Sequence, residues 1–424
     1  MLALRSILSA GAAGMLFFGS AAGAQTARFE TEPFISVEKA LEEAEARAAD
    51  RLIAIGGIPS PSGDEFARAE AVAALMEGIG LGEVEVTDAP NVIGRIPGRS
   101  GRALVFVSTL DDLTTVAAHQ AARGGPPSRE GQRIVGPGTN TSSTTVAMLT
   151  AAEALAASGF EPEHNLVFAA VAQEETGLIG MRRLYERYKS DAVAFVDILG
   201  DGSTISYGAL GIHWWRIEAS GPPGHTLRGG LPNVNLGIAK AVERILAMPH
   251  PLRSAERMTR ANVAILRSGS VFNHKPAEGW FSLDLRSLDA GTIEAMEEET
   301  RAILAEVTAE TGIDFRMVAE NIVPGGQIEG ALDSGLVRWS QAIGHHLGID
   351  PQLSDAGSAN LNVAIADGTL AIGLGGERGG ERGHPGEWAD LDAMMRTARH
   401  VALLALTVGA GSPPPDQSTS GEPL

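Results

Sequence analysis

The sequence of 424 residues lacks cysteine altogether and has far fewer basic than acidic side chains. Without cysteine, the chain can form no disulfide, offer no thiolate as nucleophile or metal ligand, and carry no cysteine-linked lipid anchor. Its 33 lysines and arginines are outnumbered by 52 aspartates and glutamates, so the formal net charge is -19 at pH 7. A field of this sign repels polyanions and excludes binding to nucleic acid or anionic lipid through the overall charge.

Long apolar runs are also missing, and no segment after the start approaches the length of a membrane span. The first 24 residues carry one cation, Arg5, followed by an apolar stretch through Phe18 and the small residues Ala22-Gly23-Ala24. This order of regions is typical of a signal peptide. We therefore predict cleavage after Ala24 and a periplasmic or secreted protein.

The sequence does contain an alternation of short apolar runs and amphipathic segments, in a chain that is 44% hydrophobic. Alternating strands and helices predict an α/β fold with a mostly parallel sheet. After Gly211 the apolar residues alternate with polar ones, as in half-exposed strands, which predicts an inserted smaller α+β domain. The predicted boundaries are 1–24 for the signal peptide, 25–210 and 325–410 for the main domain, 211–324 for the insertion and 411–424 for a disordered tail.

The segment Gln173-Glu174-Glu175-Thr176-Gly177 has the strongest chemical character in the chain. It follows the apolar run 166–172, which has the composition of a fully buried strand. Active sites of such sheets gather at the carboxyl ends of the strands. Two adjacent carboxylates there repel each other and raise a pKa unless a cation or a proton intervenes. The alternative interpretation is a solvated acidic start of the next helix.

Other segments carry further candidate groups. Asp111 follows the apolar strand 103–108, and Asp197 follows the apolar run 192–196. His384 closes a glycine-rich loop, 375–384, which offers no packing reason for a histidine. The hydroxyl-rich run 139–145 either caps the following helix or supplies a Ser or Thr nucleophile, for which the sequence assigns no base.

Several motifs extend these candidates along nearly the whole mature length. They are Ile58-Pro59-Ser60-Pro61-Ser62-Gly63-Asp64-Glu65, Asn91-Val92-Ile93-Gly94, Glu174-Glu175, Asp197, Gly224-His225, Asn273 with Pro276, Asp284-Leu285-Arg286, and His384 with Glu387. In this order they resemble the co-catalytic zinc metallopeptidases, a family that includes glutamate carboxypeptidases, aminoacylases and tripeptide aminopeptidases. The resemblance implies a catalytic main domain that hydrolyses small peptides or N-acyl amino acids. It also implies that the insertion is a lid and dimerisation domain in a homodimer.

The resemblance further implies roles for individual residues. The expected roles are general base for Glu174, further catalytic residues for Asp111 and His225, metal ligands for Glu175, Asp197 and His384, and substrate binding for Asn273 and Arg286. Zinc held by three protein ligands and a water lowers the pKa of that water, and an unligated glutamate can then take its proton.

Some departures from the family pattern affect metal binding. Thr109 stands where the family has a histidine, two residues before Asp111, and Thr141 stands where it has the bridging aspartate. Asn360 also stands where an aspartate is expected. A neutral hydroxyl is a poor zinc ligand and cannot neutralise two cations. We therefore do not expect the usual dinuclear site, and predict a divalent metal, with zinc as the first candidate, at a reduced stoichiometry of at most one ion per chain.

These departures leave three hypotheses open: a hydrolase with one metal, a non-catalytic binding protein of the same fold, and a metal-free hydrolase built on Glu174 and the threonines. Individual residues also have structural alternatives. His225 could be a turn residue, Asp284 and Arg286 could form a surface ion pair, and Asp111 could be a plain hydrogen-bond acceptor. Retention of both glutamates favours an enzyme, because a binding module has no need of a general base.

Overall fold

The computed structural model describes residues 29–248 and 255–415. The predicted signal peptide, 1–24, lies outside the described residues, and so do residues 416–424 of the predicted tail. Among the helices of the described part, none combines the length and the apolar character needed to cross a membrane.

Helices and strands alternate through most of the described part. The helices are α1 (Phe34–Gly56), α2 (Phe66–Gly78), α3 (Thr114–Arg123), α4 (Thr139–Ala157), α5 (Ile179–Tyr188), α6 (Val234–Leu246), α7 (Ala290–Thr311), α8 (Gly335–His346), α9 (Leu361–Ala366) and α10 (Leu391–Thr407), with 3-10 turns at Thr226–Arg228 and Ala331–Asp333. The strands are β1 (Gly82–Val86), β2 (Val92–Ile96), β3 (Ala103–Thr109), β4 (Ser128–Glu130), β5 (Arg133–Val135), β6 (Asn165–Val171), β7 (Ala192–Ile198), β8 (Thr204–Ser206), β9 (Gly211–Ser220), β10 (Gly224–His225), β11 (Arg260–Asn262), β12 (Leu266–Ser268), β13 (His274–Lys275), β14 (Glu278–Ser287), β15 (Asp314–Val323), β16 (Gln352–Ser354), β17 (Ala371–Gly375), β18 (Gly379–Gly380) and β19 (Trp388–Asp390).

An eight-stranded sheet forms the centre of the main domain, in the order β1-β2-β6-β3-β7-β17-β8-β16. Its four central strands, β6, β3, β7 and β17, run parallel to one another. Strands β1 and β2 extend one edge in antiparallel fashion. Every residue of β3 is buried, as expected of a strand covered by helices on both faces. The predicted α/β class with a mostly parallel sheet is thus confirmed.

The two faces of this sheet form two separate apolar cores. On one face, Leu104 and Phe106 of β3 pack into a core that includes residues of α1, α4 and α10. On the other face, Val105 and Val107 join a core with residues of α5 and α9. Successive side chains of a strand point to opposite faces, so one apolar run supplies both cores.

The insertion forms its own antiparallel sheet, in which β14, β9 and β15 pair over their full length and β11 and β12 pair with β14. Helices α6 and α7 cover one face of this sheet and share a core with Ile217, Phe281 and Leu283. The other face remains half-exposed, which is why apolar and polar residues alternate along β14.

The hydroxyl-rich run 139–145 differs from the prediction. It forms the first two turns of α4, and all seven residues are buried. Its side chains do not cap the helix, because the N-cap position is Gly138 and makes no side-chain cap bond. Instead Glu387 accepts the N–H groups of Gly138 at 3.0 Å and Asn140 at 2.9 Å. The cap therefore comes from a residue 249 positions away, which a local pattern cannot reveal.

Candidate active site

The candidate site lies at the carboxyl ends of the parallel strands. Asp111 follows β3, Glu174 follows β6, Asp197 is near the end of β7, and Arg378 follows β17. These strands are neighbours in the sheet, so their carboxyl ends meet at one edge. The topology therefore brings together three acidic groups that the sequence placed far apart.

The Glu174–Glu175 pair lies on a turn whose backbone N–H groups are bound by carboxylates of other segments. Gln173 has φ of 55° and Leu178 has φ of 58°, in the left-handed region that side chains disfavour. Both carboxylate oxygens of buried Asp111 accept backbone N–H bonds, from Glu174 at 2.9 Å and from Glu175 at 3.1 Å. Asp111 therefore fixes the backbone of the two glutamates. This contact agrees with the alternative interpretation of Asp111 as a structural hydrogen-bond acceptor.

Glu65 adds a second anchor to the same turn. Its carboxylate accepts the N–H of Gln173 at 3.0 Å and that of Gly63 at 2.8 Å. Glu65 belongs to the opening motif at 58–65, and the Ser62 hydroxyl of that motif lies 2.7 Å from the hydroxyl of Thr176. The motif that supports the family resemblance therefore holds the glutamate turn in place.

The carboxylates of the site are crowded, and this changes their acid–base behaviour. Burial raises the pKa of Glu174 to about 8, and the charges of Glu175, Asp111 and Asp197 push the pKa in the same direction. Burial likewise raises the pKa of Asp197 to about 7. It also raises the pKa of Asp111, although the two backbone N–H bonds act in the opposite direction. Glu174 can therefore exchange a proton near neutral pH, as an acid–base catalyst must.

Asn360 occupies the space between Thr109 and Asp197. Its amide nitrogen donates to the Thr109 hydroxyl at 3.1 Å and to Asp197 Oδ1 at 3.3 Å. The other oxygen of Asp197 accepts the N–H of Leu361 at 3.1 Å. Both oxygens of Asp197 therefore already accept hydrogen bonds.

Arg378 and Arg382 were missed in the sequence analysis, yet they are the cations of this site. Arg382 forms an ion pair with Glu175. The charge of Arg378 is felt by Glu174, Glu387 and Glu175. Burial first, and then repulsion by Arg382, lowers the pKa of Arg378 to about 10, so it stays protonated at neutral pH. The available signal was the repeated triplet, Gly376-Glu377-Arg378 and Gly380-Glu381-Arg382.

His384 is not gathered into the cluster of carboxylates. The residue is exposed in a turn, where its backbone N–H donates to the Glu381 carbonyl at 2.9 Å. Glu387, three residues later, is fully buried and accepts the N–H of Gly383 at 3.0 Å as well as those at the start of α4. The buried acid of this motif thus supports the fold.

The predicted site residues of the insertion fall into two groups. The His225 Nε2 and Asn273 Nδ2 atoms lie 3.2 Å apart, on the paired strand β10 and in the segment before β13. Arg286 instead binds Asp284 of the same strand through contacts of 3.1 and 3.2 Å. This is the surface ion pair named as the alternative to substrate binding, and the role of Arg286 in binding substrate stays a prediction.

The residues present do not fit the metal centre that the family pattern implies. Thr109 accepts a hydrogen bond from Asn360, each oxygen of Asp197 accepts an N–H bond, and Glu175 is paired with Arg382. Within residues 29–248 and 255–415, no three His, Asp or Glu side chains converge as a metal ion requires. Glu175, Asp197 and His384 are accordingly not assembled as a ligand set, and we derive no step through a metal.

Comparison with known proteins places this geometry in context. Residues 91–210 match the model of peptidase family M28. Carboxypeptidase G2 of Pseudomonas sp. is 22% identical over 330 residues, which cover 76% of this chain and 77% of that protein.

Solved structures share the fold at low sequence identity. Aminopeptidase PepT of Bacillus cereus superimposes with a TM-score of 0.71 at 18% identity, covering 85% of this chain and 97% of that one. A dinuclear metal-binding peptidase of the M20 family from Bacillus subtilis gives a TM-score of 0.63 at 15% identity, covering 87% and 99%.

The family match and the curated relative confirm the predicted resemblance to the metallopeptidases. The peptidase families concerned are metal-dependent, whereas in the described part of this chain no group of three or more His, Asp or Glu side chains could hold a metal ion. The chain is thus a peptidase-type hydrolase, a class that acts on peptide C–N bonds.

Proposed function

We propose that the chain hydrolyses an amide or peptide bond in a small peptide or an N-acyl amino acid, with Glu174 as the acid–base group. The carrying observation is the position of Glu174 at the carboxyl ends of the parallel strands, with its backbone held by the buried Asp111. The elevated pKa of Glu174 supports the same role. The substrate class is supported by the carboxypeptidase and aminopeptidase named above, which are proteins acting at peptide ends.

The proposed reaction uses Glu174 twice. In its ionised form, Glu174 takes a proton from a water molecule as the water oxygen attacks the carbonyl carbon. The protonated Glu174 then delivers that proton to the leaving nitrogen, and the carbon–nitrogen bond breaks. The products are a carboxylic acid and an amine, and Glu174 returns to its ionised form.

A binding protein of the same fold is the second candidate, because one specific observation favours it. Two of the positions expected to hold metals in the family are filled by Thr109 and Thr141, and the amide of Asn360 donates directly to Thr109 and Asp197. Such a protein would bind peptides or amino-acid derivatives without turnover. The presence or absence of hydrolysis separates the two candidates.

The test is Glu174→Gln, which keeps the size of the side chain but cannot accept the proton. We expect kcat to fall by about 100-fold to 10,000-fold while the fold and substrate binding persist. Activity is measured on a panel of N-acyl amino acids and short peptides, and binding by calorimetry. The matched control is Glu163→Gln, which removes a surface carboxylate paired with Arg99 at 3.1 Å.

Two results would count against the enzyme proposal. Parental activity of Glu174→Gln would show that Glu174 is not the acid–base group. Binding of panel compounds without any turnover by the parent protein would instead support the second candidate.

We also propose that the protein is an exported homodimer that assembles through the insertion. Large apolar side chains are exposed near His225: Leu227, Leu231, Val271 and Phe272, the last of them fully exposed. A patch of this kind is typical of a protein interface. We expect Phe272→Ser to shift the mass measured by light scattering toward the monomer. Phe66→Ser, which changes an exposed phenylalanine of the main domain, is the control.

A monomeric parent protein at micromolar concentration would contradict the assembly proposal. Export rests on the signal peptide predicted at residues 1–24. Fractionation of expressing cells tests it, and a protein that stays in the cytoplasm with its first residues intact would contradict it.

A further inference from the structure

The acidic groups of the site need a source of positive charge. Asp111, Glu174, Glu175 and Asp197 meet at the carboxyl ends of the central strands. Like charges placed close together cannot all be ionised unless a cation or a proton compensates them. In a metallopeptidase the metal ions supply that charge. Here Thr109 and Thr141 stand at two of the ligand positions, and the cations that the loop after β17 brings to the site are two arginines.

Arg382 supplies the first part of this charge. Its guanidinium forms an ion pair with Glu175, the residue expected to ligate a metal. About one third of the Arg382 side chain is exposed, and Glu175 is less exposed than its partner. The pair places a positive charge against Glu175 and occupies one of its two carboxylate oxygens.

Arg378 supplies the second part, and its donors are unused. Within the described residues, its guanidinium takes part in no hydrogen bond or ion pair, whereas Arg382 is paired with Glu175. Arg378 is half-buried and interacts electrostatically with Glu174, Glu175 and Glu387, and Asp197 also feels its charge. A half-buried cation with free N–H donors in the same cluster of charges as the acid–base residue is equipped to bind a new negative charge.

The backbone at Arg378 is fixed on both sides. The N–H of Glu377 donates to Asp201 Oδ1 at 3.2 Å, and Asp201 is itself bound by Arg396 at 2.9 Å. The Arg378 carbonyl accepts the N–H of Asp390 at 3.0 Å. The following Gly379 and Gly380 pair with β19. The guanidinium is therefore presented from an anchored segment of the loop, as a catalytic donor must be.

We propose that Arg378 binds the oxyanion formed during hydrolysis, and that Arg382 holds Glu175, so that the reaction proceeds without a metal ion. This inference rests on the proposed function and adds the residue that stabilises the negative charge formed on the substrate. The ligand recognised by Arg378 is the carbonyl oxygen of an amide at the moment it becomes an anion. The planar guanidinium suits that oxygen, because it presents several N–H donors in a fixed geometry.

The reaction step balances without any further reactant. As the water oxygen bonds to the carbonyl carbon, its proton passes to Glu174 and the carbonyl π electrons move to oxygen. Arg378 donates hydrogen bonds to that oxyanion. When the oxyanion re-forms the carbonyl, the carbon–nitrogen bond breaks, and the nitrogen takes the proton from Glu174. Arg378 neither gains nor loses a proton.

The first experiment compares Arg378→Gln and Arg378→Lys with the parent enzyme. Removing one oxyanion donor typically lowers kcat by about 100-fold to 1,000-fold, and we expect this for Arg378→Gln with little change in KM. Arg378→Lys keeps the charge but loses the fork of donors, so it should retain part of the activity. Arg99→Gln, which removes a surface arginine paired with Glu163, is the control.

The second experiment measures metal dependence directly. Protein purified without a histidine tag is dialysed against 1,10-phenanthroline, and its zinc content is determined by elemental analysis. We expect less than stoichiometric zinc and unchanged activity. Zinc is also titrated into the parent protein in a calorimeter, which gives a readout even when no substrate is turned over. We expect no tight binding.

The outcomes distinguish this inference from the proposed function. Loss of activity on chelation, with recovery on adding zinc, would overturn the inference and leave the proposed hydrolase intact. Tight zinc binding that disappears in Glu175→Gln would also overturn it. So would parental kcat in Arg378→Gln. Parental activity of Glu174→Gln would refute the proposed function, and the inference with it.

Discussion

A buried ion pair beneath the candidate site gives a prediction whose size follows from the structure. Arg68 of α2 and Asp112 lie 2.6 Å apart, and the side chains are 1% and 0% exposed. Arg68 also donates to the Leu110 carbonyl at 2.8 Å and to the Ile58 carbonyl at 2.6 Å. One guanidinium therefore connects the segment just before Asp111 with the start of the opening motif at 58–65.

We expect Arg68→Met to lower the free energy of unfolding by about 3–5 kcal/mol at pH 8. Removal of one partner of a buried ion pair has this cost because the other charge stays buried without compensation. Two backbone carbonyls also lose their donor, and each unsatisfied buried polar group adds to the penalty. A methionine of similar length fills most of the space, so a cavity contributes little.

The penalty of Arg68→Met should depend on pH, and its sign can be stated. Burial raises the pKa of Asp112 from 3.8 to about 6, although Arg68 acts in the opposite direction. Without Arg68 the pKa in the folded state rises further. A carboxyl group with a raised pKa stabilises the fold below its unfolded pKa, and this contribution is lost as pH rises through the folded value. The penalty should therefore be smaller at pH 5 than at pH 8, by about 1.4 kcal/mol for each further tenfold increase in the proton affinity of Asp112.

The assay is urea unfolding of the parent, Arg68→Met, Asp112→Asn and the double variant at both pH values. The double variant should be more stable at pH 8 than the sum of the single effects predicts, because it leaves no buried charge. A cost below about 1 kcal/mol for Arg68→Met, or the same cost at both pH values, would refute the reasoning.

Other predictions concern positions away from the cluster of carboxylates. Burial lowers the pKa of His400 from 6.5 to about 4. Its contribution to the free energy of unfolding, about 3 kcal/mol, is therefore present above pH 6.5 and is lost as the pH falls toward 4. His400→Gln should flatten the pH dependence of urea unfolding in this window, and an unchanged slope would contradict the assignment. Glu387→Gln leaves one oxygen for three backbone N–H groups, so calorimetry should show a lower melting temperature, with a cost of about 1–3 kcal/mol. Gly180→Ala should destabilise the fold, because the added Cβ would collide with Asn91 Oδ1. The control Gly78→Ala should not, because no atom lies within 4 Å of its added Cβ. Equal melting temperatures of the two variants would refute this contrast.

The sequence predicts the sheet, because strands buried on both faces are composed almost entirely of apolar residues. The apolar runs before Glu174 and Asp197 predict β6 and β7, and the rule for parallel sheets predicts that their carboxyl ends meet. The helix α3 was missed, because its segment lies in a region rich in glycine and proline between β3 and β5. The first turns of α4 were missed as well, because Ser and Thr favour caps over helix interiors, and only tertiary burial overrides that preference.

The site was harder to predict than the sheet, because its cations come from a loop. Arg378 and Arg382 sit in a glycine-rich stretch with no periodic pattern, and arginines in such loops are usually solvated. The placement of Arg378 depends on two backbone contacts. The N–H of Glu377 donates to Asp201, which is distant in sequence, and the Arg378 carbonyl accepts the N–H of Asp390 in β19. Asn360 was recognised as a departure from the family pattern. Its hydrogen bonds to Thr109 and Asp197 could not be predicted from the sequence, because these partners are more than 160 positions away in the chain.

The bridging amide of Asn360 also restricts which substitutions the site tolerates. We expect Asn360→Asp to destabilise the fold, because it would exchange a hydrogen-bond donor for an acid about 3.3 Å from Asp197 Oδ1. Thr109→His would remove the hydroxyl that accepts the amide proton and would crowd a buried position. Either substitution made singly therefore breaks a hydrogen bond of Asn360, so Thr109, Asn360 and Asp197 constrain one another as a unit.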